Sequence, residues 1–277
     1  MLPNPKYLIP DKSFWAHIKF LSENLGYSDR GTSKLKSYSK DEVLKVIQLT
    51  GLETSHLTKN TIHGDTYLNT IVNYLNFRSK ILETEVERSL MTRDNAKEIF
   101  EDLKKTLKPK CKLPMNKQKG KKKHYAYLTC IVNMLTEATL KKATFDQDPR
   151  SLTIITKNNA PLRTFTRRFD GAYPTVLNPK AIWEIKEYYG TTTFGSRVAD
   201  GIYESILDGE ELFELKENEG IEVLHYLMVD DHFTWWIKGK SYLCRIIDML
   251  HMGFINEAIF GREVLTRWPI IVESWKK

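Results

Sequence analysis

The chain has 277 residues, 41% of them apolar and 28% charged, with a formal net charge of +7. That length allows one large domain or two small ones, and the balance is ordinary for a globular protein. No apolar run approaches the roughly 20 residues of a membrane span, the first ten residues lack a signal-peptide pattern, and the three scattered cysteines (Cys111, Cys130, Cys244) offer no disulfide framework or zinc spacing, so no membrane contact and a reducing cytoplasm are expected.

The first hundred residues read as mostly helical. FWAHIKFLSENLG (14–26) has apolar residues at helical spacing and a glycine stop. Ser39 followed by Glu42 forms a capping-box pattern that opens a second helix, closed at Gly51. A third begins near Asp65, taken as its N-cap, and carries Leu68, Ile71, Val72, Leu75 and Leu82 on one stripe. Arg93 to Leu107 is a fourth, with Ala96, Ile99, Phe100 and Leu103 inward. Tyr67, Tyr74, Phe77 and Arg78 are of types that touch DNA, but they fit equally the core and surface of an ordinary helix. No helix-turn-helix signature stands out.

The positive charge is local. Residues 104–123, KKTLKPKCKLPMNKQKGKKK, hold ten lysines and no acid, so the rest has 42 − 10 = 32 basic against 35 acidic residues, a balance of −3. Such a block suits contact with a phosphate backbone, through Lys119, Lys121, Lys122 and Lys123 above all. It reads equally as a solvated linker, and a flexible basic linker can also clamp DNA. The domain organisation read from this is a helical region over 1–105, a basic linker over 106–123 and a second domain over 124–277.

That second domain opens with a helix, HYAYLTCIVNMLTEATLKK (124–142), with Glu137 near its end. SLTIITK (151–157) and LRTFTRRFDG (162–171) read as strands joined by an NNAP turn. The second of them ends at Asp170. The next strand, AIWEIKEYY (181–189), places Glu184 and Lys186 on one face and Trp183 and Ile185 on the other, because successive strand side chains alternate. A helix from Ser196 stops at Gly209, IEVLHYLMVDD (221–231) is a strand, and helices occupy 240–253 and, interrupted by Gly261, the INEAIFGREVLTRW stretch. His225 and His251 sit among apolar residues and read as core. Asp230, Asp231 and His232 read as an acidic turn or a second metal cluster. No phosphate-binding glycine loop and no serine-hydrolase elbow occurs.

An acid at a strand end, then acid-x-lysine on the next strand, resembles the PD-(D/E)xK nuclease superfamily, to which many restriction endonucleases belong. Asp170, Glu184 and Lys186 match its motif, while Phe169 stands where the name has proline. The element order over roughly 124–250 resembles the family's αβββαβ core, so the expected fold class is α/β (α+β) with a helical N-terminal region. The resemblance implies a Mg²⁺-dependent endodeoxyribonuclease of the type II restriction kind, acting on double-stranded DNA, as a homodimer where the target is palindromic. Two carboxylates hold a hard cation through oxygen, and a lysine beside them stabilises charge on the phosphate or orients the water. Glu137 reads as a surface residue or, by resemblance, as a further member of the metal site. Arg167, Arg168, Ser196 and Arg197 would contact the DNA backbone. The alternatives are a nucleic-acid-binding protein without catalysis and a structure-specific repair or recombination nuclease of the same fold.

Overall fold

The structure is a computed structural model that describes residues 1–9, 11–29, 32, 34–60, 64–118, 120, 123–189 and 195–276. Helices α1 (Lys12–Leu25), α2 (Lys40–Leu49) and α3 (Tyr67–Ile81) build the N-terminal part; α3 runs on through a π-helical turn (Leu82–Val86) into the short α4 (Glu87–Ser89). The Ser39–Glu42 capping box forms as expected. The cap of α3 is Thr66, one residue past Asp65. Phe14, Ile18, Leu21, Val43, Ile47, Ile71, Tyr74 and Leu75 close a core of their own. Tyr74 and Arg78 are core: the Tyr74 hydroxyl donates to Asp248 Oδ1 (2.7 Å) and the Arg78 guanidinium donates to both Asp248 oxygens (3.1 and 2.8 Å).

Helix α5 (Arg93–Leu107) has the predicted bounds, but it packs away from that first core. Ala96 and Phe100 bury with Tyr127, Ile131 and Leu135 of α6 (Tyr127–Leu140). The packing changes hands just after α3: Leu82, Val86 and Leu90 already bury with Leu227 and Val229, and α5 continues on the side of the sheet domain.

The central sheet has the order β3 (Gly171–Tyr173), β4 (Ala181–Lys186), β5 (Leu224–Val229), β6 (Glu257–Phe260). β3 is antiparallel to β4, and β5 and β6 follow in parallel. All six residues of β4 are buried, as a central strand covered on both faces requires. One face carries Trp183 and Ile185 into a core shared with α5, α6 and α9 (Val264–Ser274). Helices α7 (Ser196–Glu219) and α8 (Lys240–His251) cover the other. His225 and His251 are buried there, as expected.

Three expectations are corrected. First, the three-strand meander divides. β1 (Ile154–Lys157) and β2 (Ala160–Thr164) form a two-stranded sheet of their own around an Asn158–Asn159 turn whose φ values of 53° and 62° suit asparagine, joined to the following segment by an isolated Ile154–Leu177 bridge. Phe165 and Phe169 then anchor a turn in the core, and the sheet strand starts after Asp170, not before it. Second, Gly209 does not stop α7. Its missing side chain makes room for Phe254, whose Cβ would lie 2.4 Å from an added Cβ. Third, residues 257–260 form strand β6, not a helix. They are buried on both faces, so no alternation marks them.

Candidate functional site

Asp170 stands at the start of β3 and its amide donates to the Trp183 carbonyl (3.1 Å). Its Oδ2 accepts the amide of Ile185 (2.7 Å), so the carboxylate is pinned to the peptide that follows Glu184. Glu184 and Lys186 share a face of β4, with Nζ of Lys186 donating to Glu184 Oε2 (3.0 Å). Both are buried, at 0% and 6% exposure. The three groups of the sequence motif therefore meet, and all three line one cleft of about 720 Å³.

Helix α7 adds two acids that nothing in their spacing singles out. Glu204 Oε2 accepts from Lys186 (3.0 Å), and Asp208 Oδ2 accepts from Arg167 (2.7 Å). Arg167 also reaches Glu184 Oε2 (3.1 Å) and Glu204 Oε2 (3.2 Å). Four carboxylates thus surround two cations. Glu204 and Asp208 are i, i+4 neighbours, which share a helix face. Gly201 lets that helix come close: a Cβ there would meet the Tyr188 hydroxyl at 2.7 Å and the Lys186 stem at 3.4 Å.

The electrostatics follow from crowding acids where water is scarce. Burial, aided by the Glu184 charge, pushes the Asp208 carboxyl up to about 7; the same causes push Asp170 upward, although its residue stays open to the cleft. Burial also acts to raise Glu184, but the Lys186 and Arg167 cations and their hydrogen bonds together outweigh it and hold the group below the usual glutamate range. For Lys186 burial favours the neutral amine, and the surrounding carboxylates, Glu184 foremost, override it upward. Lys186 is an ammonium in this state, suited to stabilising phosphate charge rather than to abstracting a proton.

The basic segment forms the opposite wall. It is not a linker between domains, because α5 and α6 on either side of it pack together. It is a strap laid over α6. Lys112 N–H donates to Gln147 Oε1 (2.9 Å), Asn133 Nδ2 to the Lys112 carbonyl (3.1 Å), and Ala126 N–H to the Pro114 carbonyl (2.9 Å). Lys112 and Lys117 line the cleft across from Asp170 and Lys186. Lys119, Lys121 and Lys122 lie outside the described residues, and Lys123 is exposed.

Other predicted residues fall variously. Arg197 lines the cleft, Ser196 is the first residue of α7, and Arg168 is exposed. Arg167 lines the cleft but is held by three acids. Glu137 does not come to the site. It lies one turn beyond Asn133 on α6 and its Oε2 accepts the amide of Lys110 (2.9 Å). The acid that does meet α6 near the cleft is Glu187, whose Oε2 takes the amide and hydroxyl of Thr129 (3.0 and 2.9 Å). Burial pushes its carboxyl up to about 7. Asp230 and Asp231 are structural. Asp230 accepts from Tyr188 N–H (2.5 Å), Tyr189 N–H (3.2 Å) and Trp235 Nε1 (3.0 Å), and Asp231 caps the following turn through Thr234.

The donors present suit Mg²⁺. Glu184 Oε1 is buried with no hydrogen-bond partner, an acceptor left open beside Asp170. Among the described residues no group of three His, Cys, Asp or Glu side chains is arranged to hold a metal, but Mg²⁺ keeps several waters and commonly takes only one or two carboxylates.

Two family models match the chain. Residues 91–275 match a family described as Domain of unknown function (DUF7687), and residues 1–85 one described as Domain of unknown function (DUF7690). The first covers more than half of the chain, which belongs to the DUF7687 family. The two matches meet between residues 85 and 91, a few residues past the point where the packing changes hands. No curated protein and no solved structure matches the chain.

Proposed function

We propose that this DUF7687-family chain is a Mg²⁺-dependent endodeoxyribonuclease that cuts double-stranded DNA, of the type II restriction kind. The observation that carries the reading is the meeting of Asp170, Glu184 and Lys186 on the floor of a cleft whose far wall is the lysine strap. A bound Mg²⁺ would polarise the phosphoryl group and lower the pKa of its water. Asp170 and Glu184 would hold it, through the oxygen that Glu184 leaves open. Lys186 would offset the negative charge that grows on the phosphate. Lys112, Lys117 and Arg197 would position the DNA backbone. The helical N-terminal region would supply base recognition or the contacts of a two-fold dimer, one active centre per strand. The chain would act in the cytoplasm, where its three unpaired cysteines stay reduced. The β4–α7–β5 crossover beside the acids supports the likeness to the αβββαβ core of PD-(D/E)xK nucleases, with β1 and β2 standing apart from the sheet.

The test is plasmid DNA incubated with the full chain and Mg²⁺, with and without chelator. Discrete, chelator-sensitive bands are expected, and Asp170→Ala or Lys186→Ala should abolish them while DNA retardation persists. Cutting retained by either variant rejects the assignment. Retardation without cutting by the unaltered chain favours a binding protein, and products that follow DNA structure rather than sequence favour a repair-type nuclease.

A further inference from the structure

A second site lies in the N-terminal helices, apart from the cleft. His17 on α1 and His56 on the 3₁₀ turn Ser55–Thr58 point their Nε2 atoms at each other, 3.0 Å apart. Both rings are half-buried, with centroids 5.0 Å apart. His17 Nδ1 lies 2.7 Å from the Ser13 carbonyl, which can only accept, so Nδ1 carries the proton and Nε2 presents its lone pair. That arrangement, one ring nitrogen donating to a backbone carbonyl and the other presenting its lone pair, is how proteins orient an imidazole toward a metal.

The turn that carries the second ring is also pinned. Glu53 Oε1 accepts the amides of Thr54 and Ser55 (3.0 and 2.8 Å), and Leu57 is anchored in the core at 1% exposure. Tyr67 packs edge-on against both imidazoles, at 5.5 and 5.8 Å, and its hydroxyl is 3.3 Å from Asp11 Oδ2. Two donors from separate segments are thus fixed before any ligand arrives.

We propose that His17 and His56 form a binding site for a borderline divalent cation of the Zn²⁺ type, clasping α1 to the 55–58 turn. Zn–N bonds of about 2.0–2.1 Å at a tetrahedral angle place two ligand nitrogens roughly 3.3 Å apart. The observed 3.0 Å needs an opening of only a few tenths of an ångström. For the cation to bind, His56 moves its proton from Nε2 to Nδ1 by way of solvent, so that both rings stay neutral and both Nε2 lone pairs face the metal; solvent completes the coordination on the exposed side. Imidazole pairs favour Zn²⁺, Ni²⁺ and Cu²⁺ over Mg²⁺, whereas the Asp170–Glu184 pair offers only oxygen. The two sites are therefore distinguishable by metal.

The experiment is titration of the full, metal-stripped chain with Zn²⁺ by calorimetry, repeated with Co²⁺ read by its visible absorption. One Zn²⁺ per chain is expected at the histidines, with a Co²⁺ spectrum of nitrogen coordination. His17→Gln or His56→Gln should weaken it by at least the roughly tenfold that loss of even an outer partner of a ligand causes. Asp170→Ala should leave it unchanged, which separates it from the cleft. Zn²⁺ should raise the melting temperature of the unaltered chain and not that of His56→Gln. Far-UV circular dichroism of the metal-free variants checks their fold; His56 lies outside the helices, so its variant decides if His17→Gln misfolds. Absence of Zn²⁺ binding, or binding unchanged in His56→Gln, overturns the proposal.

Discussion

Arg167→Gln is the perturbation that most directly probes the acid cluster. The guanidinium is 23% exposed and bridges Glu184, Glu204 and Asp208, of which Glu184 and Asp208 are 1% and 0% exposed. Removing it leaves two buried carboxylates facing each other with Lys186 alone to offset them. Breaking a buried pair in this way costs about 3–5 kcal/mol, and the partial exposure of Arg167 places it near 3. For a chain of this size that is a fall in melting temperature of roughly 6–12 °C.

The pH dependence sharpens the test. Asp208 and Glu187 carry folded-state carboxyls raised to about 7, so between about 4 and 7 the folded chain binds more protons than the unfolded one. Stability must therefore fall as pH rises through that window. Without Arg167, the Asp208 carboxyl rises further and the Glu184 carboxyl climbs from its lowered position, and the decline becomes steeper and extends to higher pH. Adding Asp208→Asn to Arg167→Gln should recover part of the loss, because the stranded charge is gone; the two sites share a bond, so they are not additive. Thermal melts of the three chains at pH 5 and pH 8 read all of this. An Arg167→Gln chain within about 1 kcal/mol of the unaltered one, with the same pH slope, would refute the picture of a charge-held cluster, since an ion pair worth so little is a surface one.

Two further outcomes rest on other parts of the molecule. Arg78→Met breaks the buried pair with Asp248 that ties α3 to α8 and strands a carboxylate, at a cost of about 3–5 kcal/mol read by denaturant melts. Neutralising Lys112 and Lys117 to Gln should weaken DNA binding uniformly across sequences, and the slope of log affinity against log salt should shrink by about one for each phosphate that is no longer neutralised.

What could be read in advance was whatever depended on neighbours in the chain. The Ser39–Glu42 box, the bounds of α5, the Asn158–Asn159 hairpin and the shared face of Glu184 and Lys186 are all local consequences of spacing. Misreadings arose where a distant partner decides. Gly209 looks like a helix stop until Phe254 packs on it. Residues 257–260 look helical because burial on both faces of β6 erases the alternation of a strand. The lysine block looks like a linker because nothing in its composition reports the hydrogen bonds from Asn133 and Ala126, or to Gln147, that lay it over α6.

The same distinction explains why the candidate site was half legible. Asp170, Glu184 and Lys186 fall within one stretch, so a pattern could find them. Glu204 and Asp208 look like surface acids on an amphipathic helix, and Arg167 like a basic residue free to meet DNA. Only the crossover from β4 through α7 to β5 brings them together. Once there, they change the chemistry of the motif. Arg167 and Lys186 keep Glu184 ionised, which an oxygen-only cation site requires. Asp208 keeps Arg167 occupied, and the carboxylates around Lys186, Glu184 foremost with Glu204 added, keep it an ammonium. With four carboxylates against two cations, the cluster gathers more negative charge than its own side chains balance. Burial first and the Glu184 charge second push the Asp170 and Asp208 carboxyls upward, and a dication bound beside them would offset the surplus.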